Sequence, residues 1–408
     1  MEPWVIGLAS GLSTLTDGSE RYRFLVYPGE GDWLAQYLSG PAGLVEAADG
    51  PPANDRGSRV RGRVGAALPW LRALWRLAGR GRALRGAGAR AGALPPPEGT
   101  LEAMGARLVH FPFQSGTSTP LPTIYQPWDL QHRHLPEFFS PSTIRWREET
   151  YRALCANATL IVTASRWTKR DVIGAYGVPP ERIAVVNVPP PLSAYQPLPD
   201  DRLPEVAARL GLPSRFLLYP AQAWPHKNHL RLVAAVGRLR ERGLDVPVVS
   251  TGRISDTVAE IEREAARLGV PELIRFTGFV GPSDLDAVYR LAAGLVFPSL
   301  FEGWGLPIVE AFASGVPVAC SNVTSLPDLA GDAAIVFEPT DVDAIAAAME
   351  ILWTDEARRD ELVRRGRARV ARLTWPSTAR RLRAHYRRIL GSALTDDDRA
   401  ILAQEEPI

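Results

Sequence analysis

The stretch Pro298-Ser299-Leu300-Phe301-Glu302-Gly303-Trp304-Gly305-Leu306-Pro307-Ile308-Val309-Glu310-Ala311-Phe312 decides the fold. An apolar run, Gly294–Pro298, leads into it, and a helical pattern, Pro307–Ala313, leads out. Strand, glycine-containing turn and helix in that order open a βα unit. Pro307 suits a first helical turn, where its missing N–H costs nothing. Gly303 and Gly305 let the backbone approach a ligand with no Cβ in the way. The free amides of Gly305, Leu306 and Ile308 are then expected to face an anion at a helix N-terminus. Glu302 lies in the loop, and Glu310 about one turn inside the helix, roughly 5 Å further along its axis. One carboxylate can meet hydroxyls near a phosphate and the other a group beyond it, which suits a sugar–phosphate–ribose ligand. The Glu-x7-Glu spacing alone fits equally a solvated loop glutamate and a helix-surface one. Its place between strand, glycines and proline selects the ligand reading.

Working outward, short β-branched runs alternate with helical patterns, the mark of a parallel sheet built from βα units. In the second half, strands are expected at Phe216–Tyr219, Val246–Thr251, Leu273–Thr277, Gly294–Pro298, Val316–Cys320 and Ala333–Phe337. Helices are expected near Leu230–Arg242, Thr257–Leu268, Leu285–Ala292 and Val342–Trp353, with caps at Ser255 or Asp256, Ser283 and Asp341. This is a six-stranded doubly wound unit. The first half is less regular, with strands expected at Tyr22–Tyr27, Arg107–Phe111, Thr123–Gln126, Leu160–Thr163 and Ala184–Val188. The prolines of 188–199 read as a hinge. The expected division is 1–195, containing a basic insertion at 51–97, then a linker at 196–212, a second unit at 213–374, and a crossover helix with a tail at 375–408. Two α/β units flanking a linker make a cleft, and open α/β sheets bind ligands at the carboxyl ends of their strands.

The 408 residues are 46% hydrophobic and 23% charged, which excludes a disordered chain, a collagen and a coiled-coil rod. Two cysteines, Cys155 and Cys320, cannot build a disulfide framework and fit a reducing compartment. No apolar run is long enough to span a bilayer, and the first residues do not read as a signal peptide. Between Arg56 and Leu94 lie ten arginines and no acid, a local +10 in a chain of net +2, so the remainder carries −8. A nucleic-acid role for 56–90 finds no recognisable module there, and no nucleic-acid partner is expected. In Leu68–Arg80, Leu68, Leu71, Leu74, Trp75 and Ala78 share one helical face, and Arg72, Arg76 and Arg80 another. Such a helix suits the headgroup boundary of an anionic membrane, and it equally suits packing against its own protein.

Taken together, these segments resemble retaining family 4 glycosyltransferases of the GT-B fold, two Rossmann-like doubly wound units facing across a cleft. The resemblance runs from about Arg21 to Tyr386. It is carried by the 298–312 stretch and by Tyr219-Pro220-Ala221-Gln222-Ala223-Trp224-Pro225-His226-Lys227-Asn228-His229. Thr277-Gly278-Phe279-Val280, Ser314-Gly315-Val316-Pro317-Val318-Ala319-Cys320 and the Asp129-Leu130-Gln131-His132-Arg133-His134 loop add to it. The resemblance implies transfer of a mannose- or glucose-like sugar from a nucleotide-sugar to a glycan or lipid-linked acceptor, with retention of configuration. It implies that Glu310 binds ribose, that Glu302 with the Gly303, Trp304, Gly305 and Leu306 backbone binds the donor sugar, and that Lys227 binds the diphosphate. Phe279 and Val280 would contact the base, and Asp129, Trp128, His132 and His134 would lie on the acceptor side. No cofactor and no metal is expected, and the place of action is expected to be the cytoplasm or the inner face of the membrane.

Two positions depart from the family. Trp128 stands where relatives place a histidine, and indole takes no proton, so any acid–base role falls to Asp129, His132 or His134, whose plain alternative is loop hydrogen bonding. Gln222 and Ala221 stand where relatives carry an arginine, and Arg253 is the expected substitute. Trp128 motivates a rival reading, a nucleotide-sugar-binding homologue with little or no transferase activity. The opening residues, Trp4–Leu12, read as the first helix rather than the first strand of a doubly wound unit. The expectation is a natural start upstream of Met1, or an impaired first unit; the plain alternative is a divergent unit that closes its sheet with another segment.

Overall fold

The computed structural model describes residues 2–47, 99–195 and 197–404. The expected insertion 51–97, including the Leu68–Arg80 helix, lies outside the described residues. Among the described residues there are twelve strands: β1 (Tyr22–Val26), β2 (Ala42–Glu46), β3 (Val109–Phe111), β4 (Thr123–Tyr125), β5 (Leu160–Thr163), β6 (Ile183–Val185), β7 (Leu217–Pro220), β8 (Val248–Thr251), β9 (Ile274–Phe276), β10 (Gly294–Phe297), β11 (Val318–Ser321) and β12 (Ala334–Phe337). All pairings among them are parallel.

The second half forms one six-stranded sheet in the order β12-β11-β10-β7-β8-β9. Its central strands β8, β10 and β11 are buried along their whole length, as expected of a parallel sheet covered on both faces. The chain steps from β7 to β8 on one side and returns to pair β10 with β7 on the other. The loops after β7 and β10 therefore diverge at the switch point, where open α/β sheets bind their ligands.

The first half carries two sheets, β1-β2 and β3-β4-β5-β6. Between them lies Tyr386, from the helix Trp375–Ile389. Its ring centroid is 6.4 Å from that of Tyr22 on β1 and 6.0 Å from that of His110 on β3, and its hydroxyl is 2.9 Å from His110 Nδ1. Strand β2 has no counterpart among the expected strands. The stretch expected as a linker at 196–212 contains the helix Leu203–Leu210, which packs on the helix Pro282–Leu291 and pairs Arg209 with Asp284 at 2.7 Å. Asp341 caps its helix as expected, accepting from the Asp343 and Ala344 amides. Ser283 does not cap, because its helix starts one residue earlier at Pro282.

The Trp375–Ile389 helix crosses back to the first half. It packs along the helix Glu2–Ser13, and Arg387 pairs with Glu20 at 2.5 Å. Arg387 also pairs with the buried Asp398 at 2.7 Å. Asp398 thus completes a capping box with Thr395 at the start of the helix Asp396–Ala403 as well as pairing with Arg387. Gly7 lies so close to Trp375 that a Cβ would come within 2.0 Å of the indole. Gly7→Ala should therefore cost about 1–3 kcal/mol of stability by overpacking, measured by urea unfolding. Unchanged stability would mean that Trp375 can move aside.

Candidate active site

Lys227 and Glu302 meet at the switch point. Their charged atoms are 2.5 Å apart, and each side chain is only 14% exposed. Lys227 ends a short 3-10 turn because Asn228 adopts a left-handed conformation, φ 62°. Asn228 holds that shape by donating from Nδ2 to the carbonyls of Pro298 (2.9 Å) and Pro339 (2.8 Å). Tyr219 donates its hydroxyl to the Lys227 carbonyl, and the Leu300 amide donates to the His226 carbonyl. The two loops are in this way tied to each other before any ligand arrives. Thr324, itself left-handed at φ 53°, donates to the Glu302 carbonyl and accepts from the Glu302 amide.

The helix that follows runs from Leu306 to Ser314, with Gly305 as its cap at φ 104°. No side chain but glycine takes that conformation readily. Ile308 does not present a free amide, contrary to expectation. The helix begins at Leu306, so the Ile308 N–H already donates to the Gly305 carbonyl at 2.9 Å, and the Ile308 side chain is buried.

Glu310 is buried in that helix and accepts from the Tyr289 hydroxyl at 2.8 Å. Burial pushes its carboxyl up from 4.5 to about 7, against the opposing pull of the Tyr289 bond. A carboxyl raised on folding stabilises the fold below its unfolded value and loses that contribution as pH rises through about 7. Glu310→Gln should remove a fall in stability on the order of 3 kcal/mol between pH 4.5 and 8. Urea unfolding at pH 5 and pH 8 tests this, and equal pH slopes in both chains would refute it.

The first half closes on this loop. The carbonyl of Gly303 accepts from the hydroxyls of Ser165 (2.8 Å) and Thr168 (3.1 Å). The Trp304 indole donates to the Val188 carbonyl at 3.0 Å. Phe301 packs against His134 and Trp167, with ring centroids 5.1 and 5.3 Å away. Trp128 donates from its indole to the Pro112 carbonyl and meets Trp4 edge-on, and Trp4 in turn packs on Trp375. The position that departs from the family is thus one of three tryptophans joining the first helix, the acceptor-side loop and the crossover helix.

The other expected residues divide by environment. Asp129 is half-buried beside the Trp128–Gly303 contact, and desolvation raises its carboxyl. His132 has no exposed side-chain surface, pairs with Glu148 at 3.1 Å and is held neutral by burial. His134 bonds Asp171 at 2.8 Å. Both histidines follow the loop-bonding alternative. Phe279 is 70% exposed at the carboxyl end of β9, while Val280 is buried. Arg253 lies over the Phe279 ring at 5.6 Å, beside the base-side residues. Sequence reasoning passed over Ser165 and Thr168, whose signal is the helix cap that Ser165 forms by accepting from the Thr168 amide, and over Thr324 and Arg147, which no local pattern marks.

The architecture, two α/β units meeting at the carboxyl ends of a switch-point sheet, is that of the GT-B glycosyltransferases. Two solved structures share it. One is a glycosyltransferase from Rickettsia africae (15% identity, TM-score 0.66, 96% of this chain and 95% of that one). The other is the Anabaena protein HepE in complex with UDP and glucose (16% identity, TM-score 0.64, 94% and 95%). Residues 207–369 match the family model of the glycosyl transferases group 1. The O-antigen chain mannosyltransferase B of Escherichia coli is 32% identical over 244 residues, which are 59% of this chain and 63% of that protein. The chain therefore spans less than two thirds of that relative.

Proposed function

We propose that this protein transfers a sugar from a nucleotide-sugar to a glycan or lipid-linked acceptor, with retention of configuration. The observation that carries the reading is the Lys227–Glu302 pair at the switch point, with Glu310 on the adjoining helix. On this reading the acceptor's hydroxyl oxygen bonds the anomeric carbon as the C–O bond to the diphosphate breaks, with that bond's electron pair going to the phosphate oxygen, which takes up the acceptor's proton. Lys227 and the first-turn amides stabilise that charge, an effect large in a site shielded from water. Glu302, freed from Lys227, turns to the sugar hydroxyls. Glu310 accepts from the ribose hydroxyls, and Phe279 offers its exposed ring to the base. The mannosyltransferase likeness favours a mannose-like sugar. No metal or cofactor is part of this reading, and the cytoplasm or the inner membrane face is the proposed place of action.

Release of nucleoside diphosphate from nucleotide-activated mannose and glucose, with and without glycan acceptors, tests the function. Proton NMR of the product tests retention. The absence of turnover alongside firm donor binding would favour the rival, a binding homologue, for which Trp128 is the motivation because it supplies neither proton nor base.

A further inference from the structure

The first unit holds a half-buried cation, two of whose buried nitrogens make no hydrogen bond. Arg147 lies on the helix Pro141–Asn157, with its side chain 17% exposed and its guanidinium 4.7 Å from the centroid of the Phe139 ring. Its Nε and Nη1 are buried and make no hydrogen bond. The nearest carboxylate oxygen, Asp129 Oδ1, is 4.0 Å from Nη1, beyond hydrogen-bond reach, and accepts instead from the Gln131 amide at 3.0 Å. A buried cation with unmade bonds is costly unless something supplies the acceptors.

Its place indicates what could do so. Asp129 adjoins Trp128, whose carbonyl rests on Gly303, and Glu302 and Lys227 follow directly across that contact. Desolvation dominates at Asp129, and the charges of Arg147, Glu302 and Lys227 all act on it as well. At His226, the neighbour of Lys227, burial comes first, and Lys227 and Arg147 both add to holding the ring neutral. Arg147 therefore belongs to the Lys227–Glu302 end of the site, not to the Glu310–Tyr289 end. Arg253, the expected second cation, lies instead over Phe279.

We propose that Arg147 is the second cation for the donor diphosphate, reaching it from the acceptor-side unit opposite Lys227. This rests on the functional reading above. A guanidinium presents several N–H donors in fixed directions, which suit the several oxygens of a diphosphate better than a lysine's ammonium does. The two unused donors are then satisfied only with donor bound and the units closed, so the leaving charge is met from both sides of the cleft.

The test compares nucleoside diphosphate with nucleoside monophosphate by titration calorimetry, using GDP, GMP, UDP and UMP. Arg147→Gln should weaken the preferred diphosphate at least tenfold and leave the matching monophosphate within about twofold. Arg147→Lys should fall between the parent and Arg147→Gln, and it serves alone if the glutamine variant does not fold. Equal losses for both nucleotides would assign Arg147 a structural role and overturn the proposal. So would unchanged nucleotide binding with a raised acceptor KM, which would place the anion on the acceptor. If the unaltered chain binds no nucleotide, the functional reading fails and this proposal with it.

Discussion

Gly303→Ala is expected to lower sugar turnover by at least about 100-fold. A Cβ at this position would lie 2.0 Å from the Trp128 carbonyl oxygen, and that oxygen belongs to backbone, which cannot swing away as a long side chain can. The loop must then move back from the first unit. That movement breaks the hydroxyl bonds from Ser165 and Thr168 to the Gly303 carbonyl and carries Glu302 away from its place. A displacement of about 1 Å at a reacting centre can cost 100-fold in rate. Steady-state turnover together with donor binding checks this. Near-parental turnover would show that the Trp128–Gly303 contact is not kept during the reaction.

The second large effect is expected from Lys227→Ala. On the proposed function it removes a charge-assisted contact to the diphosphate worth about 1.5–3 kcal/mol, ten- to more than a hundredfold in affinity. It also leaves Glu302 without the partner that sits 2.5 Å away. Glu302→Ala should act more on turnover than on donor affinity, because its carboxylate is released to the sugar only as Lys227 turns to the diphosphate. The double variant should lose less than the sum of the two single losses, since the two residues are coupled. Donor affinity by calorimetry and turnover on the same preparations separate these effects. Parental donor affinity in Lys227→Ala would refute the diphosphate assignment.

The second half was largely legible because its evidence is local. Strands β7 to β12 fall within a residue or two of the expected runs, and the Glu302–Glu310 stretch states its turn, its helix start and both carboxylates in consecutive residues. Strand β2 escaped because Ala42-Gly43-Leu44-Val45-Glu46 is short and holds a glycine, so neither length nor alternation marks it. The helix Leu203–Leu210 escaped because Pro204 reads as linker, although a proline in the first turn is harmless. The Ile308 amide was misjudged because the position of a cap decides which N–H groups are free, and the Gly305 φ does not show in the sequence. Arg147 stands eighteen residues from Asp129, in a helix crowded with other arginines. Only packing separates a buried guanidinium from its solvated neighbours.

The placement of Tyr386 bears on how the protein is made. The first unit is completed by residues synthesised long after it, since Tyr386 reaches His110 across 276 positions and Arg383 reaches Asp17 across 366. At roughly 5–20 residues per second, the ribosome needs about 20–70 s to add the second of those intervals. Throughout that time the edges of β1 and β3 and the apolar face of the Glu2–Ser13 helix wait for their partners, while the second unit carries its whole six-stranded sheet within residues 217–337 and can close first. Synthesis order and folding order therefore run in opposite directions in this chain, and the nascent first half is the part that depends most on protection from aggregation.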